Sequence, residues 1–560
     1  MSLTMDEHVT SSASAVPASA SGAVGSHTGT RAERMFEILP AALTWLTFGL
    51  MVVLSRFVPF WVAVFIILFD TYWLFKTIYL SFHLRATFVE MRRVIKIDWL
   101  TKLKEGGAPR YAADLASAET GTANGTGAVK GRASWADIHH LVILPMYNEP
   151  YELVRESFTS LAKVHYPKDR MLVVLALEEA GGEAVQRTGE RIRDEFGAEF
   201  GRFMITTHPR GLEGEIPGKG SNEAWAGARA KERLVDELGI PYDRVLVSVF
   251  DIDTQVLPEY FSRLTYVFLH AEGDPLRAIY QPIPFLTNNI YEAPALARVV
   301  AFSTTFWQMM QQARPERLTS FSSQSVPLKT LIDIGWWDRD IVSEDSRVFW
   351  QGYLHYHSDF RVEPLFFPIS MDANVAPTFW GTMKNIYKQQ RRWAWGCENI
   401  PYMLEGFRND PAIPAGKKRY WTFNAFEGFH SWATNSLIIF ALGWLPLWLG
   451  GRHFGASLLA FTLPTITRWI VTLSMVGIVS SAILAIALLP EKPGGEKVKL
   501  AEYAWYFLQW ALMPITLIVF GSFPAIEAQT RLAVGGKYRL GFWVTPKNRK
   551  FQVPKNQTSK

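Results

Sequence analysis

The chain has 560 residues, enough for at least two structural units, and 49% of them are hydrophobic. A net charge of +5 is modest for this length, and no dispersed basic and aromatic pattern offers a nucleic-acid platform, so no nucleic acid is expected as a partner. The one cysteine, Cys397, excludes an intrachain disulfide framework and reads as a small buried hydrophobe.

Residues 1–33 are mostly Ser, Ala, Gly and Thr, which cannot repay the entropy of ordering, so a disordered tail is expected, too polar for a signal peptide. Residues 34–84 form a transmembrane hairpin. Apolar runs at 36–54 and 60–84 are separated by Arg56 and a Phe57-Val58-Pro59 turn, and each reaches the roughly 20 residues that a spanning helix needs. Arg31 and Arg34 precede the hairpin and Arg85, Arg92, Arg93 and Lys96 follow it, which places both flanks in the cytosol. Asp70 and Lys76 fall inside the second run, where an ionisable group is costly; they read as a pair one or two turns apart rather than as part of a sugar pathway.

Residues 85–135 follow as a cytosolic linker, flexible over 110–132, where Ala, Gly, Thr and Ser dominate. From 136 to 400 apolar runs at 141–145, 171–177, 203–207 and 245–250 alternate with charged helical stretches. That alternation predicts an α/β domain with a Rossmann-like, mostly parallel sheet, whose ligands gather where the strands end. Residues 401–426 read as an amphipathic, interfacial segment. Residues 427–525 are a second transmembrane region with apolar runs at 429–449, 456–489 and 503–520, and 526–560 is a tail carrying Arg531, Lys537, Arg539, Lys547, Arg549 and Lys550. Those charges put the tail in the cytosol, which requires an even number of crossings after the domain. With three runs, the long one is expected to supply two short crossings or a re-entrant segment broken around Pro464 to Arg468.

Three groups of residues carry the chemistry. The strand at 245–250 leads into Asp251-Ile252-Asp253, so both carboxylates can lie on one side past its end. Carboxylates that close repel one another unless a cation joins them. Mg²⁺ or Mn²⁺ held there would bind a nucleotide diphosphate and stabilise it as a leaving group; the alternative is a solvated strand end. Next comes Ser343-Glu344-Asp345. Asp345 can take a proton from an acceptor hydroxyl, although Ser343 and Asp345 before Val348-Phe349-Trp350 also fit a helix N-terminus. In Gln389-Gln390-Arg391-Arg392-Trp393, Arg392 can pair with phosphate oxygens, Trp393 can stack on a sugar ring and Gln389 can hydrogen-bond to an acceptor; interfacial anchoring accounts for the same basic and aromatic residues.

Taken in order between membrane segments, Asp251-x-Asp253, Ser343-Glu344-Asp345 and Gln389-x-x-Arg392-Trp393 resemble the processive family-2 glycosyltransferases, which include cellulose, chitin and hyaluronan synthases. Phe542-Trp543-Val544-Thr545-Pro546-Lys547 resembles the FxVTxK gating loop of bacterial cellulose synthase. By that resemblance the catalytic domain is of the GT-A type, and the loop of Phe542, Val544, Thr545 and Lys547 closes over the nucleotide on the cytosolic side. The resemblance further assigns Tyr147 and Glu149, in Leu144-Pro145-Met146-Tyr147-Asn148-Glu149, and Lys219, in Pro217-Gly218-Lys219-Gly220-Ser221-Asn222, to nucleotide-sugar binding. Glu344 joins Gln389 and Trp393 at the acceptor, which the loop Phe321-Ser322-Ser323-Gln324-Ser325 faces. Two departures stand out: Glu178-Glu179 occupies the place of an Asp pair that holds the nucleotide base, and Ser343 stands where Thr is common.

The expected protein is therefore an inverting, metal-dependent glycosyltransferase in the plasma membrane, crossing about twice before and three or four times after a cytosolic catalytic domain. It takes a nucleotide-diphosphate sugar, a UDP-sugar by resemblance, and extends a polysaccharide that it can thread through its own helices. A non-processive enzyme acting on a lipid acceptor is the nearest alternative, and an inactive, transferase-like channel or binding subunit is a third.

Overall fold

The structure is a computed structural model that describes residues 30–106, 134–546 and 549; residues 1–29 of the tail expected over 1–33, the linker expected at 110–132 and Lys547 lie outside the described residues, while residues 31–33, the end of that expected tail, are ordered as the start of the first helix. Two compact units emerge. One is drawn from residues 93–284 and 318–369, the other from 29–92, 285–317 and 370 onward.

The first unit is built on β1 (His139–Met146), β2 (Met171–Glu178), β3 (Arg202–His208), β4 (Val245–Val249), β5 (Gln255–Val256), β6 (Ala278–Leu286), β7 (Ser325–Pro327) and β8 (Arg361–Met371), with β6 and β8 running to its boundary. The sheet order is β3-β2-β1-β4-β7-β6-β8-β5. β3, β2, β1 and β4 are parallel, and β7 returns antiparallel to β4. The parallel strands are the expected apolar runs. In β2 every residue from Met171 to Leu177 is buried, as a strand covered on both faces requires, and the α/β class read from the sequence is the observed one.

Because these four strands share a direction, their C-terminal ends, at Met146, Glu178, His208 and Val249, line one edge of the sheet. Chain leaving those ends is tightly packed. A Cβ on Gly181, just past β2, would run into the backbone carbonyl of Tyr147 past β1, so the turn demands glycine there. Ser157 Oγ donates to the Ile252 carbonyl at 2.7 Å, fixing the peptide between Asp251 and Asp253.

The second unit is helical. Four described helices are long and apolar enough to cross a membrane, two before and two after the α/β part: Arg31–Phe57, Pro59–Val94, Leu458–Ala487 and Leu500–Val534. The first pair meets at Val58, and Pro59 opens the second helix, where its missing N–H costs nothing. That helix runs past 84 to Val94. Phe461 and Trp61 are 81% and 68% exposed, the surface expected of helices solvated by lipid. Residues 401–426 divide between a helix Asn399–Asn409, buried along Ile400, Met403 and Phe407, and the first part of a helix Ala415–Phe440.

Two expectations need correction. The long apolar run is one helix, Leu458–Ala487, with Pro464 inside it, not two short crossings broken near Pro464 to Arg468. Pro464 removes only one backbone donor near the start of a helix of 30 residues, and the turns on either side carry it through. The sharp break falls earlier: Ala441 leaves helical geometry and the segments Ala415–Phe440 and Leu442–Leu449 meet at 50°. Nor do Asp70 and Lys76 pair. Six residues turn a helix through about 600°, leaving them about 120° apart around the axis. Lys76 instead pairs with Glu427, which also takes Arg317 Nη2 at 3.2 Å, while Asp70 is buried beside Thr467.

Candidate active site

In the first unit the candidate residues sit on the strand ends and on the N-termini of two helices. Past β1, the Glu149 carboxylate accepts from the backbone N–H groups of Tyr147 (2.8 Å) and Asn148 (3.1 Å), which folds that loop onto itself. Glu178, the last residue of β2, is in register with His208, the last of β3, and its Oε2 lies 3.2 Å from His208 Nδ1. Its neighbour Glu179 turns elsewhere and accepts from the Arg210 backbone N–H at 2.8 Å, so the two glutamates are not equivalent. Past β4, Asp253 is fully buried whereas the Asp251 side chain keeps a quarter of its surface exposed.

The helix Lys219–Ala230 begins at this edge, tied to β2 by Asn222 Nδ2 donating to the Ala176 carbonyl at 2.9 Å. Lys219, its first residue, places its ammonium among four carboxylates: 3.0 Å from Asp251, 2.9 Å from Asp345, 3.3 Å from Glu223 and 3.8 Å from Glu344. Burial alone would lower the pKa of this amine, but Asp251, Asp345, Glu223 and Glu344 together carry it well above the usual lysine range. Glu223 is fully buried, and burial raises its carboxyl well above the usual range despite the pull of Lys219.

Glu344 and Asp345 open the helix Glu344–His355, where carboxylates favour the positive end of the helix dipole. Ser343 stands at the N-cap position but makes no capping bond with its side chain, so the cap alone does not account for the tripeptide. The backbone carbonyl of Asp345 accepts from Ser320 Oγ (2.6 Å) and Gln324 Nε2 (3.2 Å), which fastens that helix start to the loop containing Phe321-Ser322-Ser323-Gln324-Ser325. Arg347 and Gln351 both hold Asp338, at 3.0 and 3.1 Å. Gly220 lets the two helices approach: a Cβ there would lie 2.9 Å from both the Asp338 carbonyl oxygen and Glu344 Cβ.

Ligand oxygens of Glu223, Glu344 and Asp345 lie within 4.8 Å of one another. At that separation two like charges repel by about 3–4 kcal/mol at an effective dielectric of 20, and the rise of the Glu223 carboxyl is one response to that crowding. An all-oxygen set of this kind suits a hard divalent cation.

The second unit holds the other candidates. Gln389, Arg392 and Trp393 occupy the helix Phe379–Ala394 at spacings of three and four, one face of it, and Gln389 Oε1 accepts from Asn374 Nδ2 at 3.4 Å. The tail lies on the same helix. The Arg392 guanidinium is 5.0 Å from the Phe542 ring centre, and Lys388 Nζ is 5.1 Å from that of Trp543. Val544 is half-buried and Thr545 is buried, with no hydrogen-bond partner for its Oγ1 among the described residues. Arg549 pairs with Asp372. Glu527 binds this helix to the last apolar one, taking Arg391 at 2.5 Å, Arg531 at 2.7 Å and the Tyr387 hydroxyl at 2.8 Å.

Reasoning from sequence missed Glu223 and His208. Glu223 was findable, since it follows Lys219 by one helical turn; His208 was not, because its role depends on β2 and β3 lying side by side in register.

Residues 246–522 match the model of Glycosyl transferase family group 2. No curated protein matches. Among solved structures, the chain is similar to the mannosyltransferase PcManGT from Pyrobaculum calidifontis in complex with GDP-Man and Mn²⁺, at 14% identity over 73% of this chain and 99% of that one, with a TM-score of 0.36. It is also similar to TarS 1–349 from S. aureus in complex with UDP-GlcNAc, at 14% identity over 64% and 95%, with a TM-score of 0.33. The family match supports a family-2 glycosyltransferase, with the α/β domain set between apolar helices at both ends.

Proposed function

We propose that this chain is an inverting, metal-dependent membrane glycosyltransferase that moves a sugar from a nucleotide-diphosphate donor, a UDP-sugar, onto a growing polysaccharide. The observation that carries this reading is that one ammonium, on Lys219, touches both Asp251 and Asp345, so the candidate diphosphate side and the candidate base share one buried cation.

The residues divide the work. Lys219 and the N-terminus of its helix offer positive charge to the diphosphate, and the Lys219 ammonium donates to both carboxylate oxygens of Asp345, the group proposed as general base. Asp345 takes the proton from the acceptor hydroxyl as that oxygen bonds to the anomeric carbon; the bond from that carbon to the diphosphate breaks on the opposite side and its electron pair leaves with the nucleotide. One displacement inverts the anomeric centre. Mg²⁺ or Mn²⁺ held by Asp251 and Asp253 would supply further charge to the leaving diphosphate. Tyr147, Glu149, Glu178 and Glu179 surround the nucleotide, and Arg392, Gln389 and Trp393 serve the phosphate and the acceptor, with Phe542, Val544, Thr545 and Lys547 as a closing loop.

In the membrane we place the catalytic unit and the tail in the cytosol, at the plasma membrane. Two full crossings after the domain, Leu458–Ala487 and Leu500–Val534, return the chain to its starting side if the bent pair at Ala441 is re-entrant.

A lipid acceptor is the second reading. It is favoured by a cavity of about 550 Å³ in the helical unit, lined by Trp45, Phe48, Leu437 and Phe523 with Glu527 and Arg531, large enough for an apolar chain. Reconstituted protein given a panel of radiolabelled nucleotide sugars separates the two: a ladder or high polymer supports the synthase, a single lipid-soluble product supports the lipid acceptor, and no transfer from any donor sinks both.

A further inference from the structure

Glu178 belongs to a buried chain of charges whose other members, His208, Glu215 and Arg339, have no role in the reaction proposed above. His208 lies between two carboxylates, with Nδ1 3.2 Å from Glu178 Oε2 and Nε2 2.9 Å from Glu215 Oε2. Glu215 in turn takes Arg339 Nη1 at 2.9 Å. The side chains of His208, Glu215 and Glu178 are only 5%, 6% and 13% exposed. An ionised carboxylate can only accept, so both ring nitrogens must donate, and the geometry calls for an imidazolium. Two carboxylates, one imidazolium and one guanidinium then balance within the chain. Burial works against the charged ring, but Glu178 and Glu215 outweigh it and raise the His208 pKa.

The consequence falls on Glu178. Its Oε2 is committed to His208, while its Oε1 is buried and has no hydrogen-bond partner among the described residues. Oε1 is the oxygen of this carboxylate that still lacks a partner, the one a ligand would have to satisfy. We propose that His208 is a positioning residue that fixes the Glu178 carboxylate so that it offers a single acceptor to the nucleobase, selecting an edge with one N–H between carbonyls, as in uracil, over an edge with adjacent N–H donors, as in guanine. This rests on the reading of Glu178 as a base-holding residue of a nucleotide-sugar transferase. Guanine needs both carboxylate oxygens to satisfy its adjacent N1–H and N2–H donors. Cytosine and adenine present a ring nitrogen acceptor at the corresponding position, which a carboxylate repels.

The test is binding of UDP and of GDP to the full chain in nanodiscs with Mn²⁺, by calorimetry, for wild type, His208→Ala and Glu215→Gln. The wild type should favour UDP by about tenfold or more, the scale of one hydrogen bond to a charged group. His208→Ala frees the second oxygen and should bring the two affinities within about threefold. Glu215→Gln still lets Nδ1–H donate to Glu178, so it should lower thermal stability while keeping most of the preference; it also serves as the folded control if the alanine variant is unstable. Equal weakening of both nucleotides in His208→Ala would mean a merely structural role and overturn the proposal, as would a wild type that prefers GDP. A wild type that binds neither nucleotide counts against the transferase reading instead.

Discussion

The Lys219 ammonium lies 2.9 and 3.1 Å from the two carboxylate oxygens of Asp345 and 3.0 Å from Asp251. A single cation thus bridges residues that arrive from β4 and from a helix start 94 positions later in the chain, the difference between 251 and 345. The crowding of charge around it leads to the first expectation.

Lys219→Ala should leave Asp251, Glu223, Glu344 and Asp345 without their shared ammonium. Breaking a buried ion pair by removing one partner costs about 3–5 kcal/mol. The variant is therefore expected to melt several degrees lower in chelator, and to recover most of that loss in millimolar Mn²⁺, read by thermal unfolding in detergent. A variant whose melting temperature ignores Mn²⁺ would remove the cation-site reading of this cluster.

Gly220→Ala tests the approach of the two helices. The added methyl meets the Asp338 carbonyl and Glu344 Cβ at 2.9 Å, and backbone cannot yield cheaply there. We expect a destabilisation of about 1–3 kcal/mol and a fall in kcat larger than the rise in donor KM, because Glu344 and Asp345 share the displaced helix start. Unchanged kcat would show that their placement is not demanding.

Phe542→Ala removes the ring facing Arg392. A cation–π contact of this kind is worth about 0.5–2 kcal/mol, so the donor KM should rise from about twofold to about thirtyfold with the fold intact. An unaltered KM would separate the tail motif from the donor.

His208 gives a pH dependence with a definite sign. Its pKa is raised in the folded protein against burial, by Glu178 and Glu215, so its stabilising contribution is complete below the unfolded value of 6.5 and is lost as pH rises through the higher folded value. Melting temperatures of wild type and His208→Gln should therefore differ most in mildly acidic buffer and converge at alkaline pH. A gap that widens with pH would contradict the charged clamp.

How far the sequence could be read depended on whether a feature is local. The parallel strands were legible because each is an apolar run bounded by turn residues, and the places of Asp251 and Asp253 past a strand end and of Asp345 at a helix start were legible because such ends announce themselves in short motifs. The partner of Lys76 was not: Glu427 lies 351 residues away, and only the packing of helices brings them together. The same holds for His208, whose significance depends on strand register. Pro464 misled in the opposite direction, since a proline signals a break in isolation but is tolerated near the start of a long helix. The real bend, at Ala441, has no proline to mark it.

The central claim is that Asp345 is the base of a single inverting displacement. The most direct measurement follows the anomeric configuration of the first product by NMR, using reconstituted protein, a nucleotide sugar and Mn²⁺, for wild type and Asp345→Asn. The expected result is inversion in the wild type, with transfer reduced by about 10²–10⁴ in the variant while donor binding stays within a few-fold. Retention of configuration, or an Asp345→Asn enzyme that turns over like wild type, would contradict it.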